Sequence, residues 1–277
     1  MKKIMIAGCA MLIASVIHAQ EPQGKASQQE LLKQGRILYN HTIELQIRIS
    51  GLSDEMQRSL PRTRSNKLEV LFGNNQCLRR AVADDIEDDG PVVSGGLTVR
   101  TVSVGNSDVF FTDLTTGIRT QQTEFATKTY LVADTIKKLN WKLTGESKLI
   151  LNYLCQKATA QNIATRNSIK MADGKTTTEQ VTDTSNIVVW FSTAIPVSGG
   201  PEYVAQLPGM ILEIDINNGR DVFKALEVTP KVDLASIKEP KSGKRVTRNE
   251  LNQEREKVMK DMQGNNTGGR TMIFRSN

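Results

Sequence analysis

Met210-Ile211-Leu212-Glu213-Ile214-Asp215-Ile216, Asn217-Asn218-Gly219 and, two residues on, Val222-Phe223-Lys224-Ala225-Leu226-Glu227-Val228 form the stretch from which the fold is read. Met210, Leu212, Ile214 and Ile216 recur at every second residue, so one face of an extended segment is apolar. The Asn218-Gly219 step suits a type I′ turn, and the two apolar runs it joins read as a hairpin. Just upstream, Pro208-Gly209 suits the central positions of a type II turn, with proline fixing one φ and glycine accepting a positive one. Such a corner decides which face of the exit strand turns inward.

Outward from there the same alternation recurs. Ile37, Tyr39, Ile43, Leu45 and Ile47 mark a strand within 35–49. Leu68 to Phe72 and Gln76 to Val82 flank Gly73-Asn74-Asn75 as a hairpin, and Leu97 to Val104 pairs with Val109 to Leu114 across Gly105-Asn106. Phe125 to Ala133 continues the pattern, Trp141 to Ala158 reads as two short strands around Gly145, and Asn186 to Ile195 is a strongly apolar strand. Helical signals are few. Ser53 to Ser65 opens with a capping residue and two acids, and Thr247 with Glu250 is spaced as a capping box ahead of the stripe Leu251, Val258, Met262. The fold class is therefore mainly β with a few helices.

Lys2-Lys3, the apolar run from Ile4 to Ile17 and small Ala19 before Gln20 have the layout of a cleavable signal peptide over 1–19, which directs the chain to the periplasm, with secretion as the alternative. Gly8-Cys9 resembles a lipidation box but leaves too short an apolar core before it. The remaining organisation is a flexible segment over 20–34, an antiparallel β domain over 35–237, a basic linker and helix over 238–263 and a mobile tail over 264–277. No later stretch has the apolar length of a spanning helix, so no transmembrane segment is expected. Without the leader the chain has 34 basic and 30 acidic side chains, a small excess that does not point to nucleic acid.

Chemistry-bearing motifs are sparse. His41 is the one histidine after the leader, so a nucleophile–histidine arrangement would depend on that ring, and it lies at a surface position of a predicted strand. Glycine-rich phosphate loops, paired Cys-x-x-Cys and the Gly-x-Ser-x-Gly elbow are missing, and no cofactor is implied. Asp85, Glu87 and Asp89 imitate a calcium loop, but its twelfth position is Gly96, so no metal is expected. The cluster Lys238, Lys241, Lys244, Arg245 and Arg248 suits a solvated linker, or contact with anionic headgroups or an acidic protein. Cys77 and Cys155 either close a disulfide loop worth about 4.5 kcal/mol or sit as two inert buried thiols.

Three stretches resemble the GLPGLI family of exported bacterial proteins. Gln206-Leu207-Pro208-Gly209-Met210-Ile211 is similar to its motif, with the first Gly and second Leu replaced. Asn140-Trp141-Lys142-Leu143 with Glu146, Lys148, Ile150, Tyr153, Cys155, Gln156, Lys157 and Ala158 is similar to the family's Trp, Lys and Cys-x-Lys-Ala segment. Val189-Trp190-Phe191-Ser192 with Ile195-Pro196 and Gly200-Pro201 looks like its aromatic strand and Gly-Pro step. The resemblance implies a curved, partly open antiparallel sheet with covering helices, like periplasmic lipoprotein carriers. It also marks Trp141, Lys148, Tyr153, Cys155, Lys157, Trp190, Pro196, Gly200, Pro201, Leu207, Pro208 and Gly209 as motif or binding residues, although core packing is the better account of the two tryptophans.

The expected function is non-enzymatic: a periplasmic protein that binds an apolar or peptide ligand, or docks on an envelope protein. The alternatives are a hydrolase built on His41 and a structural partner of an outer-membrane assembly.

Overall fold

The computed structural model describes residues 31–45, 53–58, 62–82, 92–94, 97–101, 108–172, 175–264 and 272–274. The leader, the acidic run 84–90 and most of the tail lie outside the described residues.

Alternating sequences build a long sheet. Its strands are β1 (Gly35–Glu44), β2 (Thr63–Gly73) and β3 (Gln76–Ala81), then β6 (Val109–Asp113), β7 (Ile118–Phe125) and β8 (Lys128–Thr135). They continue with β9 (Lys142–Ile150), β10 (Tyr153–Ala172), β11 (Lys175–Ser192), β12 (Met210–Ile216), β13 (Asp221–Thr229) and β14 (Lys244–Arg245). The order β14-β8-β7-β6-β3-β2-β1-β13-β12-β11-β10-β9 makes a twelve-stranded open sheet, antiparallel except where β14 joins β8 in parallel. Helices are α1 (Asp54–Arg58) and α2 (Arg248–Gly264).

The sheet is covered on both faces. On the first, Tyr39, Val70, Phe72, Met210 and Ile214 pack beneath Ile195, Val204 and Leu207, which belong to the strap joining β11 to β12. On the second, Leu71, Leu78 and Phe111 meet Ile237, after the short helical turn Leu234–Ser236. The chain then runs on past the β8 edge: Thr120 bonds Glu239, Gln122 bonds the Ser242 carbonyl, and β14 pairs with Tyr130-Leu131. Finally α2 sets fully buried Leu251 on Tyr130 and Val132. Its capping box forms as expected, Thr247 N–H donating to Glu250 (2.7 Å) and Glu250 N–H to Thr247 Oγ1 (3.2 Å). The region expected to be a loose basic linker is thus part of the sheet's edge, and Leu32, expected in a flexible segment, donates to the Ala194 carbonyl (3.1 Å).

Several boundaries differ from the sequence reading, each for a local reason. The 97–104 strand does not pair with the 109–114 strand: β5 (Leu97–Thr101) joins β4 (Val92–Ser94) and β15 (Met272–Phe274) in a separate small sheet, while β6 lies between β3 and β7. The β9–β10 turn is at Leu151-Asn152, both at positive φ (50° and 67°), whereas Gly145 (φ 79°) occupies a bulge in β9. The expected helix over 53–65 shrinks to α1, because the chain is extended again from Thr63. The β12–β13 turn places Asn217, Asn218 and Gly219 all at positive φ, a longer loop than the two-residue turn expected.

Gly209 is a correction of mechanism. It is absent from the positive-φ positions, so the corner is not the type II turn that Pro208-Gly209 suggested. Glycine is needed instead because a Cβ would lie 2.3 Å from the Ser192 carbonyl oxygen and 3.0 Å from the Thr193 nitrogen, backbone that cannot step aside. Gly219 is the opposite case, at φ 91° with nothing within 4 Å of an added Cβ. Gly209→Ala should therefore cost at least about 2 kcal/mol by overpacking, and Gly219→Ala about 1 kcal/mol by strain. Denaturant titration of the two variants checks the order, and equal or reversed losses would contradict the close approach.

Candidate functional site

The motif residues come together in two groups joined by the strap. On β11, the Trp190 ring receives the Lys148 ammonium at 4.3 Å and the Lys157 ammonium at 5.8 Å from its centroid. Register explains the meeting, since Trp190 stands opposite both Lys157 on β10 and Glu213 on β12. Each lysine is held by a carboxylate, Lys148 by Glu213 and Lys157 by Glu146, both at 2.9 Å. The Lys157 hydrogen bond holds Glu146 below its ordinary pKa. Cys155 is fully buried and Tyr153 partly so.

The second group fixes the strap. The Gln206 side-chain oxygen accepts from the indole N–H of Trp141 (3.0 Å) and from the Leu139 backbone (2.9 Å), while Trp141 meets Tyr203 edge-on at 5.6 Å. Leu207, Gly200 and Pro201 are buried, whereas Pro196 and Pro208 are exposed. Gly200 allows close passage, since a Cβ there would lie 2.9 Å from Cβ of Ile211. Tyr39, wholly buried, donates its hydroxyl to the Ile211 carbonyl at 2.7 Å.

Cys77 and Cys155 are both buried and unbonded; the structure shows two thiols and not the bridge. Burial pushes them up to about 12 and about 11, so they are inert protonated groups near neutrality.

An ion cluster that no sequence motif announced lies where strap meets sheet. Glu202 pairs with Arg79 from β3 and with Arg119 from β7 (3.1 Å), and Arg79 also donates to the Pro201 carbonyl (2.7 Å). Both guanidinium groups sit against the Phe110 ring, at 4.0 and 4.2 Å. Beside them is a cavity of about 10 Å³, the size of one water. Burial would raise the Glu202 pKa, but the charges of Arg119 and Arg79 outweigh it and leave it at about 2.

His41 stacks on Phe223 (3.9 Å between centroids) and its Nε2 lies 2.7 Å from Asp221, so a carboxylate but no serine or cysteine is bonded to the ring among the described residues. A second, open groove of about 310 Å³ is lined by Thr120, Asp134, Arg245 and Glu250 among others. Of the basic cluster, Arg248 is engaged with Asp134 (2.9 Å) and Gln121 (2.6 Å). Among the described residues no helix is long and apolar enough to cross a membrane, and no acidic, Cys or His cluster is placed to hold a metal.

Residues 141–213 match the family model described as a protein of unknown function (Porph_ging). That range contains every motif residue above, from Trp141 to Gly209. The comparison with curated proteins finds no match. Two crystal forms of PNGF-II align with TM-scores of 0.48, at 17% and 16% identity, over 80% and 79% of this chain and 33% and 32% of theirs. The chain thus spans about a third of the length of the solved structures it matches.

Glu202 gives a pH prediction. Its folded pKa of about 2 lies below the ordinary 4.5, so the unfolded chain takes up the proton first, and stability present above pH 4.5 is lost as pH falls toward 2. Glu202→Gln should cost about 2 kcal/mol at neutral pH by leaving two half-buried cations without their counter-charge. Melting temperatures measured across that window should fall less steeply for the variant than for the wild type, and parallel curves would contradict the assignment.

Proposed function

We propose that this chain is a non-enzymatic accessory protein of the GLPGLI type, carried to the periplasm by its leader, which acts by docking through the leucine-bearing edge formed by β9 and β10. The observation that carries this reading is where apolar surface is left over. Leu143, Leu149, Leu151 and Leu154 are 58%, 69%, 40% and 59% exposed, while the interior under the strap is filled by side chains near 0% exposure. Leu149 stands directly opposite Leu154, and Leu143 opposite core residue Ala158, so the buried face of the sheet runs on into open leucines.

Carriage of an enclosed apolar ligand has less support, since one cavity is water-sized and the larger groove, lined by Leu131, Ala133 and Val246 together with Asp134, Arg245 and Glu250, is open to solvent. The His41–Asp221 pair is the one observation favouring a hydrolase. In-envelope crosslinking followed by affinity capture separates these readings: Leu149→Asp with Leu154→Asp should abolish the captured partners without changing circular dichroism, and His41→Ala should leave them intact. Undiminished capture by the double variant would refute docking at this edge, and loss of capture by folded His41→Ala would move attention to the imidazole.

A further inference from the structure

We infer that the occupant of this edge is a second copy of the same chain, joined β9 to β9; the inference rests on the docking reading above and adds the identity of the partner.

The two ends of the long sheet are treated differently. At the β8 end the last strand is β14, a two-residue element followed at once by α2, whose Leu251 packs back onto Tyr130 and Val132. At the other end β9 is the terminal strand, with six consecutive exposed residues from Lys142 to Ser147. An unprotected strand edge offers unpaired N–H and C=O groups for another strand. Among the described residues only this end of the long sheet is uncapped, so a second copy adds by the same strand. Like-to-like pairing of one edge is isologous and antiparallel, so it closes at two chains and cannot grow into a filament.

The charges on β9 fit a copy of itself better than a strongly charged partner. Lys148 is held by Glu213 and Glu146 by Lys157 within the chain, which leaves the leucines as the unmet feature of the edge. A two-fold axis through Glu146 would set carboxylate against carboxylate, and one through Lys148 ammonium against ammonium. An axis through Ser147, the residue between them, sets Glu146 of each copy opposite Lys148 of the other. The same register sets Leu149 opposite Gly145, whose missing side chain leaves open space, with nothing within 4 Å of an added Cβ.

Sedimentation equilibrium of the full chain recovered after export, with Leu149→Asp/Leu154→Asp and Ser147→Cys beside it, tests this. The wild type should show a dimer mass that dissociates on dilution, and the double leucine variant should raise the dissociation constant by about tenfold or more. Ser147→Cys is a mild change at an exposed site. Oxidised glutathione should convert its two opposed thiols to one disulfide, giving a dimer band on a non-reducing gel. A wild-type chain that is monomeric throughout overturns the second-copy inference while leaving the edge free for an envelope protein. A dimer that the leucine variant does not weaken, or that Ser147→Cys does not lock, puts the interface elsewhere and overturns it as well.

Discussion

The hydroxyl of Tyr39 donates to the carbonyl of Ile211 at 2.7 Å, in the interior and across 172 positions of sequence. This bond ties the first strand of the sheet to the point where the strap re-enters it, and it meets a constraint that an open sheet cannot avoid. A sheet that is not closed must hide an apolar face under something else, and any polar backbone in that cover must be satisfied. Here the cover is the strap. Its polar backbone is bonded within it or to the sheet: the Gly199 amide donates to Val197 and the Ala205 amide to Ser198, while the β12 amides of Met210 and Ile211 donate to the Ile195 and Gly199 carbonyls. Gly209 lets its backbone press on Ser192, and Ile195, Val204 and Leu207 supply the apolar side.

Seen this way, the residues of the stretch that matches the family model are fasteners. Trp141 is spent on Gln206 and Tyr203, Trp190 on two lysines, and each of those lysines on a carboxylate. Charge performs the same task further along the sheet, where Glu202 on the strap grips Arg79 and Arg119 across Phe110. A half-buried cluster of this kind is weak evidence for added stability but penalises a displaced strap, because lifting Glu202 would leave two cations beside a water-sized cavity. Specificity of seating is the physical yield.

The sheet was legible because its signal is local. Met210, Leu212, Ile214 and Ile216 alternate, Asn74-Asn75 turns at φ 50° and 58°, and Thr247 with Glu250 caps a helix, each within a few residues. Strand ends and partners were less legible. Leu151-Asn152 turns at positive φ without a glycine, while Gly145, earlier in β9, is in a bulge, so the glycine pointed to the wrong corner. The polar continuation of β10 and β11 lacks apolar alternation, so its strand signal rests on β-branched threonines such as Thr176, Thr177 and Thr178 and on the Asp173-Gly174 step in the sequence. Gly209 was singled out for its backbone, yet the cause is a neighbour at 2.3 Å that no local rule reveals. Arg79, Arg119 and Glu202 were invisible for the same reason, the two arginines lying 123 and 83 positions from Glu202 in sequence and joined to it only by folding.

The central claim is that the strap is part of the core and opens only with it. Native-state hydrogen exchange on the strap backbone amides of Val197, Gly199 and Ala205 tests this most directly. The account predicts protection approaching that of β12 amides, and a parallel loss of protection in both when Tyr39→Phe removes the hydroxyl that binds Ile211. Strap amides that exchange as fast as those of the exposed Ala126-Thr127 turn, while β12 stays protected, would show an independently opening flap and contradict the account.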